Sequence, residues 1–141
     1  MCLRCERLNG GMTIPASHAD ILESNALVHV ATIGPDGKPQ NTPVWFGWDG
    51  THVLFSLTTG RQKYRNLTSS PDVALSFVDV ANPYRYLEIR GTVLEIADDP
   101  ENAFINSMAK KYLGQDVYPW HQPTDHRVVV KVLPAHTTQM G

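Results

Sequence analysis

Apolar and polar positions alternate along most of the chain from residue 27 onward, and the alternation is that of strands separated by tight turns. Leu27 to Ile33, the turn Gly34-Pro35-Asp36-Gly37 and Pro39 to Trp48 read as a hairpin. Asp49-Gly50 turns the chain into Thr51 to Leu57, where His52, Leu54 and Ser56 alternate with Val53, Phe55 and Leu57 as a half-buried strand should. Val73 to Val78, Tyr84 to Ile96 and Arg127 to Leu133 complete six strands, with a bulge or bend expected at Gly91. Three short helices punctuate them. Ser17 and Asp20 resemble a capping box ahead of Ile21, Leu22 and Ala26; a second helix runs from Arg61 to about Ser70 and stops at Pro71; a third starts at Asp98-Asp99-Pro100 and ends before Gly114. The pattern predicts a mainly β fold, an antiparallel barrel with short helices rather than a parallel α/β sheet.

A length of 141 residues fits one domain, assigned to residues 12–141, with residues 1–11 expected as a disordered tail and Met12 as an alternative start. The apolar fraction of 42% suffices for a core. A formal charge of −2 and a pI near 6.3 argue against nucleic acid or an anionic membrane as partner. No apolar run is long enough to insert in a membrane and no secretory core is present, so the expected location is cytoplasmic.

Cys2 and Cys5 have Cys-x-x-Cys spacing without the further ligands or βα context that zinc or redox chemistry requires. His18, His29, His52, His121, His126 and His136 show no ligand spacing, so no metal is expected. Asp125 and His126, adjacent on a strand, point to opposite faces, and no nucleophile elbow is present, which argues against a hydrolase. Dinucleotide and Walker fingerprints are absent as well.

One stretch stands out chemically. Thr58-Thr59-Gly60-Arg61-Gln62-Lys63-Tyr64-Arg65-Asn66-Leu67 sets a turn, a helix start and three cations within a few residues. Open N–H groups, a positive helix end and a guanidinium fork suit an anion, phosphate first. The same residues also fit a solvated helix face, and Arg65 does not share the face of the other two. Trp45, Phe46 and Trp48 read as packing aromatics.

Ala31-Thr32-Ile33, Asp36-Gly37, Pro39-Gln40 and Pro43-Val44-Trp45-Phe46, then Arg61 to Leu67, then Asn82-Pro83-Tyr84-Arg85-Tyr86-Leu87-Glu88-Ile89-Arg90-Gly91 resemble, in order and spacing, the pyridoxamine 5′-phosphate oxidase-like split β-barrel family. More narrowly they are similar to its actinobacterial branch that uses the deazaflavin coenzyme F420, over about Pro15 to Met140. The resemblance implies a homodimer with two cofactor sites at the subunit interface, each built by both chains. It places the cofactor phosphate at Thr58, Thr59, Arg61 and Lys63, with Ser56 adding a hydroxyl and Asn66 supporting the helix or a cofactor oxygen. Gln40, Asn41, Thr42, Pro43, Val44 and Trp45 would present backbone groups to the ring. Tyr84 and Tyr86 would reach the ring from the second subunit, and Arg127, beside Asp125, would complete the charged rim. Lys38 joins the cations that a longer acidic cofactor tail requires. The implied activity is hydride transfer from reduced deazaflavin to a small-molecule acceptor with an activated C=C bond or quinone-like ring. On the same fold the alternatives are an FMN-dependent oxidase or reductase and a non-catalytic F420 carrier. No catalytic residue is assigned beyond Tyr84 or Tyr86 as a candidate proton donor.

Overall fold

A computed structural model describes residues 14–141, so the tail expected at residues 1–11 and the Cys2–Cys5 pair lie outside the described residues. The elements run α1 (Ala19–Leu22), β1 (Val28–Ile33), β2 (Pro39–Val44), β3 (Gly47–Trp48), β4 (Val53–Thr58), α2 (Gln62–Ser69), β5 (Asp72–Val78), β6 (Tyr86–Asp98), α3 (Ala103–Leu113) and β7 (Arg127–Met140). All seven strands form one antiparallel sheet in the order β2-β1-β5-β6-β7-β4-β3.

Period two puts one side of each central strand into a single core: Val28 and Val30 of β1, Val53 and Phe55 of β4, Leu75 and Phe77 of β5, Leu87 and Ile89 of β6, Val130 and Val132 of β7. Each is fully buried. Truncating a ring such as Phe55 to alanine would cost roughly 3 to 5 kcal/mol through lost transfer energy and the cavity left behind.

Topology closes the sheet. The two edge strands β2 and β3 are joined by Trp45-Phe46 alone, so the sheet curls until its edges meet. No ladder bonds join β2 to β3, and the barrel is therefore split along that seam. Phe46 turns inward against Phe77, ring centroids 4.8 Å apart, whereas Trp45 turns out toward α3.

Several boundaries differ from expectation. Pro39 to Trp48 is two strands, because the chain must cross the seam at Trp45-Phe46. The long strand starts at Tyr86 rather than Tyr84, which lies in a turn where its N–H donates to Asn82 Oδ1 at 3.1 Å. β7 continues past Leu133 to Met140, because Pro134 sits where the register slips opposite Arg90 and Gly91 and needs no N–H there. Gly91 is at a bulge, as expected: a Cβ there would lie 2.5 Å from the Leu133 carbonyl oxygen.

The Ser17–Asp20 capping box is not formed. The Ser17 hydroxyl pairs with His18 Nδ1 at 2.7 Å, and Asp20 faces Arg85, with Oδ2 3.0 Å from Nη1. Arg85 also donates to Asp79 Oδ2 at 2.8 Å, so one guanidinium ties α1 to the β5–β6 connection and holds both carboxyls below their usual range. Helix α3 begins at Ala103, later than Asp98, yet Asp99 still caps it: its Oδ2 accepts from the N–H groups of Phe104 at 3.1 Å and Ile105 at 3.4 Å.

Candidate cofactor and substrate cavity

A cavity of about 410 Å³ lies against β2, between the end of β4, the start of α2 and the start of β7. Among the described residues strand β2 pairs only with β1, so its other edge presents unpaired backbone groups there. Its alternation turns Gln40, Thr42 and Val44 inward and leaves Asn41 exposed. Pro43 and Trp45 also line the cavity.

The charged wall comes from three elements. Arg61, Gln62 and Lys63 open α2 at the cavity, and no side chain caps that helix. Ser56 and Thr58 lie at the end of β4, opposite Val129 and Arg127 of β7. Arg127 donates from Nη1 to Ser56 Oγ at 3.2 Å, and its Nη2 lies 3.9 Å from Asp125 Oδ2. Lys63 is only 7% exposed, and no hydrogen bond or ion pair reaches it among the described residues. Burial, and then the neighbouring Arg61 charge, lower its pKa from 10.5 to about 8. Arg127 Nε and Thr42 Oγ1 are buried without a partner. Among the described residues three cations line this space and no carboxylate does.

Such an arrangement suits an anion. A largely buried lysine beside a second cation costs stability until a negative charge reaches it, and orphaned donors cost more. A phosphate at the start of α2 would meet open N–H groups, Arg61 and Lys63 together.

Of the expected site residues, the cavity thus gathers Gln40, Thr42, Pro43, Val44, Trp45, Ser56, Thr58, Arg61, Lys63 and Arg127. Thr59 stands behind it, its N–H bonded to the His126 carbonyl at 2.9 Å, where it fixes the turn. Asn66 supports the site from below: Nδ2 donates to Thr32 Oγ1 at 3.0 Å and to Gln40 Oε1 at 3.4 Å, while Oδ1 accepts from Gln62 at 2.8 Å. Arg65 folds back to the Gly60 carbonyl and Gln62, away from the cavity. Tyr84 and Tyr86 do not line their own chain's cavity; Tyr84 is 81% exposed.

The residue-by-residue reading missed Gln62 and the opposite wall, formed by Leu27, Ile105, Met108, Tyr118 and Trp120. Ile105 and Met108 are one helical turn apart on α3, and Tyr118 and Trp120 come from the following loop. Trp45 lies nearly parallel to Tyr112, at 5.2 Å and 6°, and contacts Tyr118 edge-on at 5.9 Å. The Tyr112 hydroxyl donates to the Ala26 carbonyl at 2.7 Å and accepts the Phe46 N–H at 3.2 Å, while Lys111 Nζ donates to the Phe46 carbonyl at 2.8 Å. Helix α3 thereby clamps the seam. The aromatic content of residues 114–126 was the available signal.

The model of the pyridoxamine 5′-phosphate oxidase family matches residues 14–141. Among solved structures, one described as an F420 reductase is 42% identical, with a TM-score of 0.81 over 89% of this chain and 98% of that one. A conserved hypothetical protein from Mycobacterium tuberculosis is 26% identical, with a TM-score of 0.71 over 92% of this chain and 86% of that one. General stress protein 26 from Bacillus anthracis, at 18% identity and a TM-score of 0.64 over 86% and 89%, shares the fold. Among curated proteins no sequence matches. Matching nearly end to end, the chain belongs to the pyridoxamine 5′-phosphate oxidase family and, within it, to the branch of the F420 reductase.

Proposed function

We propose that the protein is an F420-dependent reductase that passes a hydride from the reduced deazaflavin to an activated C=C bond or quinone-like ring. One observation carries this reading beyond the family: the cavity beside β2 holds three cations, no carboxylate among the described residues and a buried lysine without a partner. Arg61, Lys63 and the start of α2 bind the cofactor phosphate, and Arg127 extends the cationic rim toward an acidic tail. The open edge of β2 and the inward Gln40 and Thr42 orient polar ring atoms, and Val44 and Trp45 exclude water. Hydride donation is the chemistry the deazaflavin supplies when bound. With Arg61 and Lys63 taken by the phosphate, the product's proton comes from solvent, from Tyr118, or from Tyr84 or Tyr86 of the partner subunit.

A homodimer belongs to the same proposal. Val78, Tyr86 and Met140 lie side by side across β5, β6 and β7, and Val78 and Met140 are exposed together with Val80 and Tyr84, a patch suited to a second copy.

Fluorescence titration with F420 and with FMN decides the cofactor: tight FMN binding without F420 binding overturns the proposal. Turnover of the reduced deazaflavin by enones and quinones separates a reductase from a carrier. Arg61→Ala is expected to weaken cofactor binding by roughly 1.5 to 3 kcal/mol, the worth of a charged hydrogen bond, and unchanged affinity would remove the phosphate assignment.

A further inference from the structure

The cavity has two chemically distinct ends. At one, Arg61, Lys63 and Gln62 stand by the Gln40 end of β2, to which Asn66 ties them. At the other, past the C-terminal end of β2, stand Trp45, Tyr118 and Trp120.

The aromatic end is built as a recognition surface. Trp45, Tyr118 and Trp120 contact one another pairwise, with ring centroids 5.9, 6.2 and 5.6 Å apart. Two of the three rings have a further partner. Tyr112, outside the cavity, stacks on Trp45, and the Arg127 guanidinium covers Tyr118 at 4.6 Å. Trp120 has no such backing and is 57% exposed, a large indole at the cavity mouth with apolar area still open to water. The charged group against this trio is the Arg127 guanidinium, which Ser56 Oγ also holds.

We infer that Trp45, Tyr118 and Trp120 form the acceptor subsite, a three-ring clamp for a planar, uncharged, conjugated molecule, and that Trp120 sets its selectivity. This inference rests on the proposed function and adds to it the residues that choose the acceptor. Stacking on pre-positioned rings rewards flat π-systems over compact aliphatic ones. Arg61 and Lys63 are left for the cofactor, while Arg127 borders both ends, its guanidinium on Tyr118 and its Nη1 on Ser56 Oγ.

Two measurements test the clamp. In the first, cofactor-free wild type and Trp120→Phe and Trp120→Ala variants are titrated with menadione as a planar probe, read by quenching of the remaining tryptophans, and by calorimetry in parallel. The expected result is that Trp120→Ala weakens menadione binding about tenfold and that Trp120→Phe largely restores it; equal affinity across the three proteins overturns the inference. In the second, on cofactor-loaded protein, Trp120→Ala is expected to raise KM for menadione about tenfold with little change in kcat, to leave KM for cyclohexenone nearly unchanged and to leave the cofactor Kd unchanged. A rise in the cofactor Kd instead would assign the trio to the cofactor ring and overturn the clamp. If the wild type binds menadione through Trp120 but does not bind F420, the proposed cofactor falls while the clamp stands. If F420 binds and turns over with Trp120 indifferent, the reverse holds.

Discussion

Lys63 condenses the argument of the site into one side chain. Unfolded, its amine titrates at the ordinary 10.5; folded and unliganded, burial brings it to about 8. The folded chain therefore binds fewer protons than the unfolded one between these values, so stability rises with pH across that window, and at neutral pH the charged lysine destabilises the fold. Lys63→Met is expected to stabilise the ligand-free protein by roughly 1 to 3 kcal/mol in denaturant unfolding and to abolish that pH dependence. The same substitution should weaken cofactor binding, and a loss of both stability and binding would mean the lysine has a structural partner. In the wild type a bound phosphate raises the lysine's pKa again. Affinity should be full below pH 8 and fall by up to about tenfold per unit above it, a decline that titrations at several pH values would show. That Arg61 and Lys63 share a cavity with Gln40 and Thr42 was legible through the family resemblance. The role of Asn66 was legible only as a choice between supporting the helix and touching the cofactor, because Thr32 and Gln40 come to it from β1 and β2, far away in sequence.

Pairing partners decided the elements that sequence alone misjudged. β1, β4 and β5 were readable because each buries alternate residues against one core. The second half of β7 was not: Pro134, His136, Thr137, Thr138 and Gln139 have no apolar period, and they are strand because β6 lies beside them. The start of α3 was displaced because Asp99 caps at a distance, with Asn102 held at φ 59° between cap and helix. Asp99→Ala is expected to cost about 1 to 2 kcal/mol in thermal or denaturant unfolding, the worth of a lost cap. At Gly91 the β7 backbone lies close against β6. Gly91→Ala drives a methyl into the Leu133 carbonyl and Val132 and should cost roughly 1 to 3 kcal/mol through overpacking, measurable as a lowered denaturant midpoint; an unshifted midpoint would show that the bulge can relax.

At the scale of the molecule, the split barrel presents two surfaces of unlike character. One is the cationic and aromatic cavity beside the seam; the other is the apolar row across Val78, Tyr86 and Met140. Sedimentation at micromolar concentration is expected to give a dimer, and Val78→Asp with Met140→Asp to give a monomer with reduced cofactor affinity. A monomeric wild type would sink the two-chain site. The mainly β fold and the family were legible in the motifs. The far wall of the cavity was not, since it is assembled from α3 and the loop after it, whose closure over β2 depends on Lys111 and Tyr112 reaching the Phe46 backbone.

The open edge of β2 has a consequence beyond ligand binding. A bare strand edge is a template on which another polypeptide can add itself, and a protein that keeps one exposed keeps a route to aggregation. Pro39 and Pro43 leave two of the six β2 residues without an N–H to offer. Their cost to the ladder is small, and they guard the edge: it stays open to a small molecule while a passing strand finds too few donors to zip along it.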